Sequence, residues 1–76
     1  MNKINSLIGK NFIVTKEWQV KNSKMKVGDI LKIIDYDYGS VSDYFLFTND
    51  RLPKYIFGTE VWSFKRNTQQ ENKVPA

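Results

Sequence analysis

The amino-acid sequence predicts an all-β fold, a small barrel of five short strands, on three observations. First, 28 of the 76 residues are Val, Ile, Thr, Phe, Tyr or Trp, while Ala occurs once. Branched and aromatic side chains suit a pleated, half-buried surface, and the strongest helix former is nearly missing. Second, short apolar runs alternate with Gly, Pro, Asn and Asp at close intervals, the punctuation of antiparallel strands. Third, 76 residues make one domain with a thin core and leave no room for the crossovers that parallel strands need.

Each element follows from local pattern. Leu7 and Ile8 lead into a turn at Gly9, and residues 11–18 form the first strand, with Phe12 and Val14 on one face and Ile13 and Thr15 on the other. Residues 19–26 are polar and predict a long exposed loop. Val27-Gly28-Asp29 is turn chemistry ahead of the second strand, residues 30–35. Residues 36–42 read as a loop around Gly39, and residues 44–48 as the third strand. Asn49 and Asp50 make a turn, Pro53 bars a central-strand position, and residues 55–57 form the fourth strand. Gly58 to Glu60 connect to a fifth strand over 61–65. The alternation selects Leu31, Ile33, Phe45, Phe47 and Ile56 as core. The barrel thus spans residues 1–65. From Arg66 to Ala76 the one large apolar residue is Val74, which predicts a flexible polar tail.

Composition narrows function. With no Cys and no His, the chain lacks thiolate chemistry, the commonest zinc ligands and every Ser-His or Cys-His arrangement. Asp35, Asp37 and Asp43 carry no ligand spacing and no sign of the burial that would separate their pKa values, so they read as a solvated acidic loop. The expectation is a protein that is not an enzyme and uses no cofactor or metal. No apolar run approaches a membrane span, and residues 1–10 have no signal-peptide core, so the reading is cytoplasmic, without membrane contact. Charge is uneven. Residues 1–32 carry +5, residues 33–64 carry −3 and residues 65–76 carry +2, for a net +4. Ten of the twelve cations are Lys, a mobile hydrated charge, whereas base-edge reading favours Arg.

The stretch Lys24-Met-Lys-Val-Gly-Asp-Ile-Leu-Lys-Ile-Ile34 resembles the diverging turn and second strand of SH3 domains. Gly28 permits a positive φ there, and Asp29 can accept from backbone N–H groups. The resemblance extends over about residues 11–65. Asp43-Tyr44-Phe45 stands where SH3 domains open their third strand with a Trp pair, Asn49-Asp50 at the distal hairpin, and Gly58-Thr59-Glu60 at the helical turn before the last strand. It implies an SH3-like barrel. The proline-peptide groove of the family is not preserved: Tyr44 replaces the Trp, no Pro occurs at 58–60, and the long loop is basic. That loop would repel the Arg or Lys that orients a proline-rich ligand. A KOW element also begins Gly-Asp and closes at a Gly one strand later. Here Gly39 comes late, and Asp35 and Asp37 stand where cations would meet nucleic acid.

The candidate binding residues are Trp18, Lys16, Lys21, Lys24, Tyr36, Tyr38 and Tyr44. Trp and Tyr are the residues of protein hot spots and of base-stacking platforms, and in an SH3-like barrel the loops bearing these side chains flank one concave surface. The functional expectation is a non-catalytic module that docks on a protein partner and modulates or inhibits it, as a monomer or weak homodimer. Its size and Lys- and Asn-rich style resemble phage or prophage accessory proteins. The alternative is a nucleic-acid-binding barrel using the basic loop and the aromatic residues.

Overall fold

The computed structural model describes residues 6–39 and 41–71. Seven strands and one helix follow in the order β1 (Asn11–Val14), β2 (Trp18–Val20), β3 (Ser23–Met25), β4 (Ile30–Tyr38), β5 (Asp43–Asn49), β6 (Leu52–Glu60), α1 (Val61–Asn67) and β7 (Thr68–Gln70). Five strands form one antiparallel sheet in the order β6-β5-β4-β1-β7, and β2 with β3 forms a separate hairpin. The domain is mostly β, but the sheet is not closed into a barrel. Its two end strands, β6 and β7, are joined by α1, which packs on β5, β6 and β7.

β4 is the spine. Its first residues pair with β1 (Phe12 opposite Leu31), and nearly its whole length pairs with β5 (Ile33 opposite Phe47, Tyr36 opposite Phe45). The register shifts between Ile33 and Asp35, leaving Ile34 as the extra residue of a bulge. A one-residue insertion exchanges the faces of everything beyond it. Leu31 and Ile33 therefore share the core face with Tyr36 and Tyr38, while Asp35 and Asp37 face outward. The turn into β4 explains its own sequence. The Asp29 N–H donates to the Lys26 carbonyl at 2.9 Å and Gly28 adopts φ 96°, the positive value a type II turn demands at its third position.

The core holds Phe12, Val14, Val20, Met25, Leu31, Ile33, Phe45, Phe47, Phe57 and Phe64. Four of the five residues expected from alternation are fully buried, but Ile56 is 66% exposed and Phe57 lies inside instead. The pairing of Phe57 with Phe47, and of Ile56 with Thr48, puts Ile56 on the outer face. Pro53 sits in β6, an end strand, where its missing N–H interrupts no central ladder.

Three expectations are corrected. Residues 61–65 are helical: a 3.6-residue period brings Val61 and Phe64 inward and leaves Trp62 59% exposed, whereas a strand would set Trp62 and Phe64 on one face. The end of α1 is held by side chains, with Thr68 Oγ1 donating to the Phe64 carbonyl (2.7 Å) and Asn67 Nδ2 to that of Ser63 (2.8 Å). Residues 66–71 are not a tail. Arg66 and Asn67 complete α1, and β7 pairs with β1 from Val14 opposite Thr68 to Phe12 opposite Gln70. Polar residues suffice for this short end strand because its stabilisation comes from the backbone ladder; residues 72–76 lie outside the described ones. Lastly, residues 19–26 form the β2–β3 hairpin, and residues 36–38 extend β4, where loops were expected.

Leu31→Ala or Phe47→Ala should cost about 2–5 kcal/mol in denaturant melts, whereas Ile56→Ala should stay within about 0.5 kcal/mol of the parent. Ending the chain after Asn67 removes β7 and should lower the melting temperature by several degrees, because β1 then loses one of its two ladder neighbours.

Candidate functional site

The β2–β3 hairpin is docked by its own alternation. Val20 and Met25 are buried, and Trp18, opposite Met25, is half-buried with its ring edge-on to Phe64 at 6.4 Å and 90°. The exposed side carries the cations. Lys21 occupies the turn with φ 53°, a left-handed conformation unusual for a side chain of its size. Gln19 Nε2 donates to the Lys21 carbonyl at 3.0 Å, which helps hold that turn. Lys24 is exposed and stands 3.6 Å from Glu17, so part of its charge is answered locally. Lys16, also exposed, donates its backbone N–H to the Asn67 carbonyl at 3.2 Å, tying the start of the hairpin excursion to the end of α1.

The tyrosines divide between two faces. Tyr36 is half-buried, its ring 6.1 Å from Phe45 and 6.3 Å from Tyr38, which is 77% exposed. Trp18 connects to this pair through buried rings, with Phe64 to Phe45 at 5.3 Å completing the chain. Trp18, Tyr36 and Tyr38 therefore border one continuous aromatic cluster. Tyr44 does not join them. It alternates with the buried Phe45 and lies on the outer face of the sheet, between Asp37 of β4 and Glu60 of β6. Asp43, opposite Tyr38, is on the aromatic side, while Asp35 and Asp37 belong to the outer face. The surface thus has an aromatic side with Trp18, Tyr36, Tyr38 and Asp43, the basic outer face of the hairpin that carries Trp18, and a separate acidic row around Tyr44.

A polar cluster at the base of the hairpin was missed by sequence reasoning. The Asp29 carboxylate is nearly buried and accepts from the Lys26 N–H (2.9 Å), Asn49 Nδ2 (3.0 Å) and Arg51 Nη2 (3.1 Å). Arg51 Nη2 also donates to the Lys24 carbonyl (2.7 Å), and the fully buried Asn49 accepts the Arg51 N–H (2.8 Å). Burial pushes the Asp29 carboxyl up, but the hydrogen bonds from Arg51, Asn49 and Lys26 outweigh it and hold the group below the usual carboxylate range. The available signal was phase: Asn49 shares the register of Phe45 and Phe47, so a polar residue was due to face the core and need partners. The cluster is saturated with internal bonds and is a structural tie. Among the described residues no grouping of three or more His, Cys, Asp or Glu could hold a metal, and no helix is long and apolar enough to cross a membrane. A shallow depression lined by Ile13, Thr15, Gln69, Gln70 and Glu71 lies over β1 and β7, on the face of β1 opposite Phe12.

Tyr36 carries the one strong electrostatic signature of the aromatic cluster. Partial burial first, then the Asp43 carboxylate that accepts from its phenol and repels the phenolate, push its pKa up to about 12. A phenol raised above its unfolded value near 10 stabilises the fold fully below that pH, and the contribution is lost as pH rises from about 10 through about 12. Phenolate absorbance should therefore show a late-titrating component that Tyr36→Phe abolishes. Asp43→Asn should move it to lower pH.

Comparison of the chain with protein-family models, with curated proteins and with solved structures gives no match, so its functional reading rests on the chemistry of these surfaces.

Proposed function

We propose that the chain is a non-catalytic binding module of SH3-like type that docks on a protein partner and modulates or inhibits it. The order of elements supports the SH3-like reading. A first strand leads into an excursion, a Gly-Asp diverging turn, three meander strands joined by a tight distal turn at Asp50 and Arg51, a helix and a last strand. The helix falls at residues 61–67, a few residues after the position the resemblance implies. A phage-encoded modulator of a host protein is the setting that its resemblance in style to phage accessory proteins implies.

The observation that carries the binding reading is the aromatic end. Trp18 and Tyr36 are half-exposed rings seated on the buried rings of Phe64 and Phe45, and Tyr38 extends the same row into solvent. Rings held by a core lose little freedom on association, and such anchors contribute most of the energy at protein interfaces. The hairpin that carries Trp18 bears Lys21 at its turn and Lys24, 3.6 Å from Glu17, on the face turned away from that ring, while Asp43 stands opposite Tyr38. A mixed-charge rim suits a protein surface, whereas a phosphate backbone would be repelled by the acidic members.

The test begins with capture of partners by the intact chain, with and without nuclease, followed by calorimetry on the captured protein at two ionic strengths. Tyr38→Ala touches only the exposed end of the row and should weaken binding at least about tenfold with the melting temperature unchanged. Reversing Lys21 and Lys24 to Glu should act mainly on association rate and its salt dependence. Capture abolished by nuclease, or affinity dominated by the two Lys with a steep salt slope, would overturn this reading in favour of nucleic acid.

A further inference from the structure

The edge of β6 has features that nothing in the aromatic end uses. β6 is nine residues long and among the described residues has one ladder neighbour, β5; β2 and α1 approach it, but β2 hydrogen-bonds to β3 in a separate sheet. Exposed strand edges are templates for further pairing, and proteins usually blunt them with Pro, charge or brevity. Here the devices sit at the two ends. Pro53 lacks an N–H and stops a ladder on one side, and α1 begins at Val61 on the other. Between them, residues 54–60, in the sequence Lys-Tyr-Ile-Phe-Gly-Thr-Glu, have no second ladder partner among the described residues.

We propose that β6 pairs antiparallel with β6 of a second copy across a two-fold axis at Phe57. The segment is self-complementary in that register. Lys54 stands opposite Glu60 of the other copy, and the two-fold repeats the ion pair at the far end. Tyr55, 61% exposed, meets Thr59, an aromatic beside a β-branched residue. Ile56, 66% exposed, meets Gly58, whose lack of a side chain leaves it room. Phe57 lies beside its own counterpart on the core side. Moving the axis by one residue in either direction breaks both ion pairs and sets Lys54 against Gly58 or against the helix. The chain has a net charge of +4, which opposes association, but this segment is neutral and supplies its own matching charges. The pairing is isologous and closed, so it yields a dimer and no filament.

The experiment is a charge-swap mixture followed by light scattering and sedimentation across concentration. The parent should rise from 9.0 kDa toward twice that mass as concentration increases. Lys54→Glu alone places like charges at both ends of the ladder, and Glu60→Lys alone does the same, so each should dissociate at least tenfold more readily. An equimolar mixture of the two variants restores both ion pairs and should associate within about threefold of the parent. The mixture also controls for folding, since a variant that failed to fold could not rescue its partner. A parent that stays at 9.0 kDa to millimolar concentration overturns the proposal. So does a parent dimer that both single variants leave intact, or a mixture that does not recover. These outcomes leave the aromatic-end reading unaffected, because Trp18, Tyr36 and Tyr38 take no part in the pairing.

Discussion

The packing of Phe64 against three strands is the contact on which the rest of this structure depends. Its ring lies 5.1 Å from Phe12, 5.3 Å from Phe45 and 5.1 Å from Phe47, with Trp18 at 6.4 Å on the hairpin side. The sheet does not close on itself, so its core face would be open between β6 and β7 without a plug. Seven residues of α1 supply one, and only Phe64 among them is fully buried. Edge-to-face geometry at these distances adds to area burial, and a buried Phe contributes about 1.5–3 kcal/mol by area alone. In a chain of this size, that is a large share of net stability. The same ring positions Trp18 and, through Phe45, Tyr36, so the candidate site inherits its order from the core.

A second constraint holds the two turns of the meander together. Asp29, Asn49 and Arg51 come from the turn before β4 and the turn after β5, and their hydrogen bonds reach back to Lys24 and Lys26 of the hairpin. Asp50 adds a reciprocal link, donating its N–H to the Ile30 carbonyl (3.0 Å) and accepting the Ile30 N–H (3.2 Å). A nearly buried carboxylate is costly unless its acceptor sites are filled; here they are filled by a backbone N–H, an amide and a guanidinium. The basic hairpin is therefore anchored at its base by buried polar bonds and along its length by Val20 and Met25, so its exposed cations sit on a fixed platform.

Period-two patterning made β4 and β5 legible, because Leu31, Ile33, Phe45 and Phe47 alternate with polar or exposed neighbours on central strands. It failed where physics is not local. The run Tyr55-Ile56-Phe57 has no alternation, so only the ladder to β5 decides which side faces inward. Residues 61–65 carry β-branched and aromatic side chains that favour a strand, and tertiary burial of Phe64 overrides that preference. The bulge at Ile34 carries no signature in composition, yet it determines that Tyr36 faces the core side and Asp35 does not. Tyr44 was grouped with the other tyrosines because the loops of an SH3-like barrel would flank one surface, and strand alternation separates it from them. β7 was unreadable because Thr, Gln and Gln bury little and are held by backbone pairing to β1.

The two proposed surfaces are compatible and reinforce each other. β5 lies between β6 and the strand that carries Tyr36 and Tyr38, so pairing through the outer edge of β6 leaves those two rings of each copy uncovered. A two-fold dimer would present two such rows in fixed relation. Modest affinity at one row then becomes strong avidity toward a partner that is itself symmetric or displayed in copies, since the second contact forms at high effective concentration. The gain depends on geometry, because a partner whose sites cannot span the two rows would bind one at a time. A module with a thin core and a short aromatic row can in this way reach tight binding without enlarging either, which ties the edge of β6 to the same task as the rings on β2 and β4.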